Sequence, residues 1–365
     1  MNQKGKDSSG QARKVLEGVE RICWGITSCL CFPGSVKTAM RFIGEDVTDD
    51  YIMGISGGAF SMYWGMPWSQ ANVELLLGIM GEEVVRRTFE ALGYAYTVIP
   101  KWGQENQNQM KGLFRRMIVD SVDRGRPVIA KGVVGPPECC IVTGYDKSGD
   151  VLYGWSYYQG VADFYQGDAE SYFIKDDWYG NCYGLILIGD MKLRPPRRQI
   201  LQNTLEWAVS LARIPEFLLF SNGNVERFMS GLVAYDAMVE ALLRDEDFPA
   251  GNLDVLTLRS VPISNDGIPL MSEKRKSAMR FLNSIADEGL PGTEELRRAA
   301  EAYRKETQIL DEAATMVPYS YAPEEERLKL ADPKLRRKVS RLVREAKQHE
   351  EMAVRHLEKA LKRLA

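Results

Sequence analysis

The chain has 365 residues, of which 45% are hydrophobic and 27% are charged, values typical of a globular protein with room for two domains. Its net charge of -3 gives no reason to expect nucleic acid or an anionic membrane as a partner. The polar first eleven residues do not resemble a signal peptide, and no apolar run approaches the roughly 20 residues that span a bilayer. We therefore expect a cytoplasmic protein, and the sequence leaves open whether it forms a homo-oligomer.

The sequence changes in character near residue 195, which predicts three segments. Residues 1–19 begin with a polar stretch containing Gly and Ser and are expected to be flexible. Residues 20–192 contain short β-branched and aromatic runs bounded by Gly, Pro and Asp, which are typical of strands. Residues 195–365 lack such runs, and their apolar residues recur every three or four positions, so we expect an all-helical domain there.

Local signals within residues 20–192 predict an α+β domain. Helices are expected from Gly34 to Ile43 and from Glu82 to Leu92, where Gly93 ends the second helix. Strands are expected over 127–130, 140–143, 151–155 and 184–188. A turn at 147–150 separates the second strand from the third, because its glycine accepts a backbone conformation that other residues resist.

Cys31 stands just before the first predicted helix, where Pro33 and Gly34 suit the first turn. A thiol at a helix N-terminus faces backbone N–H groups and the positive end of the helix dipole, and both favour the thiolate. The position therefore suits a nucleophile. A buried and inert thiol is the alternative, because free cysteines often pack as small hydrophobic side chains.

A second segment, Glu138–Asp146, combines a buried-strand pattern with a carboxylate at its start. Strand alternation places Glu138 and Cys140 on one face and Cys139 on the other, so we expect the first two to face Cys31 and Cys139 to enter the core. A carboxylate can accept a thiol proton, but it returns that proton near neutral pH only where burial raises its pKa. A glutamate that ends its strand in solvent is the alternative.

Cys31–Gly44, Ile52–Phe60 and the following Tyr63-Trp64 resemble the N-terminal domain of the butirosin biosynthesis protein H family. More distantly, they are similar to the papain-like peptidases that trim double-glycine leader peptides. The resemblance covers about residues 20–190 and implies a papain-like α+β fold, with a nucleophile helix packed on an antiparallel sheet. It also implies cysteine-dependent acyl transfer that needs no metal or other cofactor.

Carried over by position, the resemblance implies that Cys31 is the nucleophile. Glu138 takes the place of the family's histidine, six residues before Gly144, and the chain's only two histidines lie near its C-terminus. The third member of the catalytic set would fall within 154–156, which reads Gly-Trp-Ser where the family has Asp or Asn. A papain-type oxyanion glutamine would lie about six residues before the nucleophile, where this chain has Gly25.

Other residues are predicted to line a substrate cleft: Cys29, Cys140, Tyr63, Trp64, Trp155 and Ser156. For the aromatic residues, packing in a core is the competing interpretation. The cysteines around Cys31 and Cys140, taken with Glu138, do not show a standard zinc spacing, so no metal site is predicted.

Three functions follow from these patterns. The first is a cysteine-dependent hydrolase or acyltransferase that acts on a small amide, ester or thioester, with an atypical glutamate in place of the catalytic histidine. The second is a non-catalytic papain-like module that binds a small molecule or peptide. A thiolate metal or redox site is the weaker third. For the enzyme, the expected partner is a small-molecule, peptidyl or acyl substrate.

Overall fold

The computed structural model describes residues 5–6, 12–25, 30–66, 68–69, 81–101, 106–165, 167–221 and 224–364. The strands of this part are β1 (Gly5–Lys6), β2 (Ala12–Val15), β3 (Tyr63–Met66), β4 (Tyr94–Pro100), β5 (Val128–Lys131), β6 (Cys139–Asp146), β7 (Val151–Ser156), β8 (Phe173–Lys175), β9 (Gly184–Met191), β10 (Glu216–Ser221) and β11 (Asn224–Ser230). The α-helices are α1 (Cys31–Phe42), α2 (Asp49–Ser56), α3 (Gly81–Leu92), α4 (Gln107–Asp123), α5 (Trp178–Asn181), α6 (Arg197–Arg213), α7 (Gly231–Leu243), α8 (Leu253–Ser260), α9 (Ile268–Ala286), α10 (Thr293–Ala314), α11 (Glu324–Arg327) and α12 (Pro333–Leu364).

The chain divides into two compact units, and both are built from discontinuous stretches of sequence. The first unit comprises residues 1–52 and 89–194, and the second comprises residues 53–88 and 195–365. The predicted boundary near residue 195 agrees with this division. The sequence did not indicate that residues 53–88 belong with the C-terminal helices.

The first unit contains an eight-stranded antiparallel sheet. Its strands follow the order β1-β2-β6-β5-β9-β4, with β7 pairing the other edge of β6 and β8 pairing β7. Helix α1 packs on β5 and β6, and α4 packs on β2, β5, β6 and β9. The predicted α+β architecture of helices with an antiparallel sheet is therefore confirmed for this unit.

Strand β6 is the inner strand that the Cys-Ile-Val run predicted. Its first seven residues are all buried, and both its edges are paired, with β5 and β2 on one side and β7 on the other. Because successive side chains point to opposite faces, seven consecutive buried residues mean that both faces are shielded from water, which is why the strand reads as a nearly continuous apolar run. The turn predicted after it is also present, with left-handed Lys147, Ser148 and Gly149.

The N-terminal segment differs from the expectation of flexibility. Ala12–Val15 pairs with the Gly144 end of β6, and Leu16 is fully buried. Lys14 is also buried, and its Nζ donates to the carbonyl of Asp123 at 2.8 Å. The buried apolar residues and this charged hydrogen bond offset the entropy lost when the segment is ordered.

The second unit is mainly helical. Helix α10 packs against α9 and α12, and α12 also packs against α6 and α7. Within the region expected to be helical, residues 293–314 and 333–364 form the long helices α10 and α12. Along α12 the buried residues recur every three or four positions, as at Val339, Val343 and Ala346, so one side of the helix joins the core.

The expectation that the chain beyond residue 195 is entirely helical is wrong for residues 216–230. Strands β10 and β11 form an antiparallel hairpin there, and β11 also pairs with β3. The register places Ser221 opposite Asn224, so the connection has two residues. Those residues are Asn222-Gly223, a strong hairpin signal in the sequence, and they lie outside the described part.

A fully buried charge cluster lies between helices of the second unit. The guanidinium of Arg275 contacts the carboxylates of Glu350, at 2.5 Å, and Glu306, at 3.5 Å. It also donates to the carbonyl of Ala59 at 2.8 Å, and the hydroxyl of Tyr235 donates to Glu306 at 2.6 Å. One cation thus faces two carboxyl groups in a site without solvent.

Among the described residues, no helix is both long enough and apolar enough to cross a bilayer.

Candidate functional site

Cys31 is the first residue of helix α1. The residue before it, Leu30, is extended, and its side chain makes no capping hydrogen bond to the helix. The first turn contains no acidic side chain, and Pro33 has no N–H to donate. The positive end of the helix dipole is therefore not offset by a capping residue, and it favours the thiolate form of Cys31.

The thiol of Cys31 meets the start of strand β6. The backbone N–H of Cys139 donates to Sγ of Cys31, with an N–Sγ distance of 3.2 Å. This contact arises because α1 packs on β5 and β6, and it leaves Cys31 only 8% exposed. An N–H donor directed at sulfur stabilises the negative form of that sulfur, so the geometry acts in the same direction as the helix dipole.

The peptide group that makes this contact links Glu138 to Cys139: its N–H is that of Cys139 and its carbonyl is that of Glu138. That carbonyl accepts the N–H of Gly132 at 2.9 Å while the N–H on the other side of the same peptide donates to Cys31. Accepting one hydrogen bond polarises a peptide and strengthens the bond that it donates. The Gly132–Pro137 turn therefore supports the position of the amide at the sulfur.

Glu138 lies directly before β6 and is half-buried. Its own N–H donates to the carbonyl of Pro136 at 2.6 Å, which ties it to the preceding turn. The peptide group that contacts Cys31 thus joins Glu138 to Cys139, which places the backbone of Glu138 next to the thiol. Glu138 therefore lies at the start of β6, and the expectation that its side chain faces Cys31 stays a prediction.

Three further thiols, those of Cys139, Cys140 and Cys182, are buried in the same unit. Sγ of Cys140 donates to the carbonyl of Ala130 at 3.3 Å, and burial, with Cys182 and Cys31 nearby, raises the pKa of Cys140 well above its usual range. Burial raises the pKa of Cys182 to about 11. Cys140 and Cys182 are therefore neutral thiols near pH 7. Cys140, predicted to line the cleft, is bonded to the sheet instead.

Tyr157, directly after β7, lies beside the thiols of Cys31 and Cys139. Burial, reinforced by the neighbouring Cys31 and Cys139, raises the pKa of its hydroxyl far above the usual value. That hydroxyl has no hydrogen-bond partner among the described atoms, and the ring packs against Trp24 with 4.3 Å between centroids. A tyrosine directly after a strand has no local sequence pattern that predicts a position beside buried thiols.

In the region predicted to supply the third catalytic member, the polar side-chain groups form hydrogen bonds to the backbone. Ser156 lies opposite Cys140, and its Oγ donates to the carbonyl of Val134 at 3.1 Å. Nε1 of Trp155 donates to the carbonyl of Val19 at 2.9 Å. Gln159, which the sequence did not indicate, accepts the N–H of Ser156 at 3.4 Å. The polar groups of both predicted residues thus hold the end of β7 in place.

The remaining predicted residues fall elsewhere. Tyr63 and Trp64 belong to the second unit, where they are 2% and 0% exposed. The Tyr63 ring contacts Phe217, and Trp64 is part of that unit's hydrophobic core. Both side chains therefore pack in a core. Cys29 lies outside the described residues.

Metal binding and disulfide formation were also considered from the sequence. The five cysteines in the described part of the chain are free thiols. Within that same part, no group of three His, Cys, Asp or Glu side chains is placed to hold a metal ion. Of the two histidines, His356 contacts Glu295 on the neighbouring α10, with 2.7 Å between Nδ1 and Oε2.

Neither the protein-family models nor the curated proteins include a match to this chain.

Proposed function

We propose that the first unit is a papain-like domain and that Cys31 is the nucleophile of an acyl-transfer enzyme. The observation that carries the proposal is the hydrogen bond from the Cys139 N–H to Sγ of Cys31, made at the start of α1. Two independent features then favour the thiolate, which is the form that attacks carbonyl carbon. The sequence resemblance to cysteine-dependent acyltransferases supports the same role.

The reaction proceeds in two steps. Glu138 accepts the proton of the Cys31 thiol, and the sulfur forms a bond to the acyl carbon of an ester, thioester or amide. The bond from that carbon to the leaving group then breaks, and the leaving group takes the proton from Glu138. In the second step, water or an amine attacks the acyl carbon and gives up a proton to Glu138, the bond from that carbon to Sγ breaks, and the proton returns from Glu138 to Cys31. The outcome is a hydrolase with water and an acyltransferase with an amine.

A non-catalytic binding module is the second candidate. It is favoured by the low exposure of Cys31 and by the lack of any histidine in the first unit, since the chain's two histidines are His349 and His356. Acyl-enzyme chemistry normally uses a group that titrates near neutral pH, and histidine is the usual one. In this candidate Glu138 and Cys31 keep their positions but transfer no proton.

A thioester probe separates the two candidates. The protein is incubated with an S-acyl N-acetylcysteamine thioester, and intact-mass spectrometry records the covalent acyl group. We expect one acyl group on the wild type and none on Cys31→Ser, while the matched control Cys140→Ser retains it. Equal acylation of Cys31→Ser, or no acylation of the wild type, supports the binding module instead.

The role of Glu138 has its own test. Loss of a general acid–base residue typically lowers the rate about 10²–10⁴-fold, so Glu138→Gln is expected to acylate that much more slowly while keeping its circular dichroism spectrum. The exposed Glu17→Gln is the matched control in the same unit and is expected to react like the wild type. An unchanged rate for Glu138→Gln assigns the proton transfer to another group.

Glu138→His is a complementary change, because it restores the residue type that the resemblance implies. Imidazolium pairs with thiolate, so the variant is expected to raise the thiolate absorbance of Cys31 near neutral pH. Cys31→Ser/Glu138→His serves as the blank for that absorbance. A spectrum identical to the blank means that position 138 does not face the sulfur.

A further inference from the structure

The N-terminal third of helix α12 forms one wall of an open groove in the second unit. The groove has a volume of about 440 Å³. It is lined by Leu243, Lys334, Arg337, Ser340, Arg341 and Arg344. Four of these six residues are cations, and all four are exposed. A volume of this size is within the range of small-molecule sites.

The four cations lie on one side of α12. Their spacing of three, four and three residues repeats with the helical turn, so their side chains project into the same groove. No acidic residue occurs between Lys334 and Arg344. At the N-terminus of the helix the carboxylate of Asp332 accepts the backbone N–H of Lys334 at 2.8 Å, and the first turn itself has no acidic residue. Like charges at this spacing repel one another, so the groove is destabilised while it is empty.

These cations are not used by the fold. Among the described residues, none of the four is within ion-pair distance of a carboxylate, although the chain has 50 acidic residues. The neighbouring Arg336 shows the contrast, since it is buried and bonded to the carbonyls of Leu242 and Leu330 and to the carboxylate of Asp245. One arginine of this segment therefore serves the core, whereas the groove cations remain directed to solvent.

The lining indicates the class of ligand. Three of the four cations are arginines, whose planar guanidinium groups bind phosphate oxygens in pairs. Among the described residues, no aromatic side chain lines the groove, so this lining lacks the stacking surface that single-stranded nucleic acids use. Leu243 is the one apolar residue of the described lining, and a single leucine offers too little apolar surface for insertion into a bilayer. Multiple phosphoryl groups on a small molecule match four converging cations.

We infer that this groove is a binding site for a small polyphosphorylated ligand. The site is separate from Cys31 and does not depend on the function proposed for it. Charge-assisted bonds from arginine supply the affinity, and Ser340 and Leu243 shape the wall between them. Binding places negative charge at the positive end of α12 and removes the repulsion among the four cations.

Isothermal titration with sodium tripolyphosphate on the full chain tests the inference. We expect saturable binding by the wild type, about tenfold weaker binding by Arg337→Gln and by Arg341→Gln, and a larger loss in the double variant. Arg341→Lys keeps the charge but not the paired hydrogen bonds, so it is expected to bind more weakly than the wild type as well. Circular dichroism checks that each variant is folded, which is expected for exposed positions.

The matched control is Lys338→Gln/Arg355→Gln, which removes two exposed charges from the same helix but outside the groove. It is expected to bind tripolyphosphate as the wild type does. Equal weakening in the control would mean that only total charge matters and would overturn the site. Tighter binding of a single-stranded oligonucleotide or of anionic vesicles at matched phosphate concentration would overturn the assignment to a small ligand. No measurable binding by the wild type would overturn it too.

Discussion

Glu306 is expected to lower the stability of the second unit at neutral pH, although it sits within a network of hydrogen bonds. Burial and the nearby Glu350 raise the pKa of its carboxyl well above the usual value of 4.5, while Arg275 and the Tyr235 hydroxyl act in the opposite direction. Its second oxygen, Oε2, has no hydrogen-bond partner among the described atoms. A neutral carboxyl group tolerates that arrangement better than a carboxylate does.

The sign of the pH effect follows from proton linkage. In the folded chain Glu306 keeps its proton at a pH where the unfolded chain has lost it, so its contribution to stability is complete below the unfolded pKa. That contribution declines as the pH rises from 4.5 toward the raised folded pKa. Each pH unit in this window costs about 1.4 kcal/mol. The accumulated cost grows with pH until the raised folded pKa is reached.

Glu306→Gln removes this cost. A glutamine side chain has the same shape, its oxygen still accepts from Tyr235, and it has no proton to take up. We expect the variant to match the wild type near pH 4.5 and to become the more stable of the two as the pH rises toward the raised folded pKa of Glu306, by about 1.4 kcal/mol for each pH unit. Urea unfolding followed by circular dichroism at several pH values measures the difference, and Glu301→Gln on the exposed face of α10 is the control.

Arg275→Met is the opposing change in the same cluster. It leaves two buried carboxyl groups without their cation, so it is expected to cost about 3–5 kcal/mol. Arg275 is one of the groups that lower the pKa of Glu306, so its loss raises that pKa further and widens the pH range over which stability declines. The reasoning is refuted if Glu306→Gln destabilises the protein at pH 7, or if its difference from the wild type does not change between pH 5 and 8.

Three other predictions concern the first unit and a turn of the second. Because burial raises the pKa of Cys182 to about 11, iodoacetamide should leave this thiol unlabelled at pH 8 and react with it only as the pH approaches 11. Peptide mass spectrometry measures the labelling, and a labelled Cys182 at pH 8 would contradict its burial. Tyr157→Phe removes a buried hydroxyl that has no described partner, so thermal unfolding should show unchanged stability or a gain of up to about 1–3 kcal/mol, and a clear loss would reveal a partner for the hydroxyl. Gly231→Ala places a Cβ 2.4 Å from the carbonyl oxygen of Ala212 at a φ of +54°, so it should lower stability by more than about 1 kcal/mol. Gly180→Ala, where a Cβ meets no atom within 4 Å, is the control for the glycine, and an equal effect of the two changes would exclude the steric explanation.

The helix at Cys31 and the strand at Glu138–Asp146 could both be predicted from the sequence because their signals are local. The stripe of Val36, Ala39 and Met40 marks one face of α1, and each of these residues is buried. The run after Glu138 reads as a strand buried on both faces, and β6 is such a strand. In each case neighbouring residues carry the whole pattern, so no distant contact is needed to interpret it.

The hairpin at 216–230, in contrast, was not predicted from the sequence. Its signal, Asn222-Gly223 between two apolar runs, is present in the sequence, but the surrounding helical periodicity led us to expect helix. Strand β11 then pairs with β3, about 160 positions earlier in the chain. That pairing, and the membership of residues 53–88 in the second unit, depend on distant segments whose match no local pattern reveals.

The candidate site divides in the same way. The residue types, a thiol at a helix start and a carboxylate before a buried strand, are properties of the sequence. The contact of the thiol with the start of that strand is not, because the Cys139 N–H reaches Cys31 across more than one hundred residues through packing of α1 on the sheet. The charge of the α12 groove is likewise a property of the sequence, since helical spacing places its cations on one side. The concavity itself, and the burial that raises the pKa of Glu306, arise only where separate helices meet and exclude water.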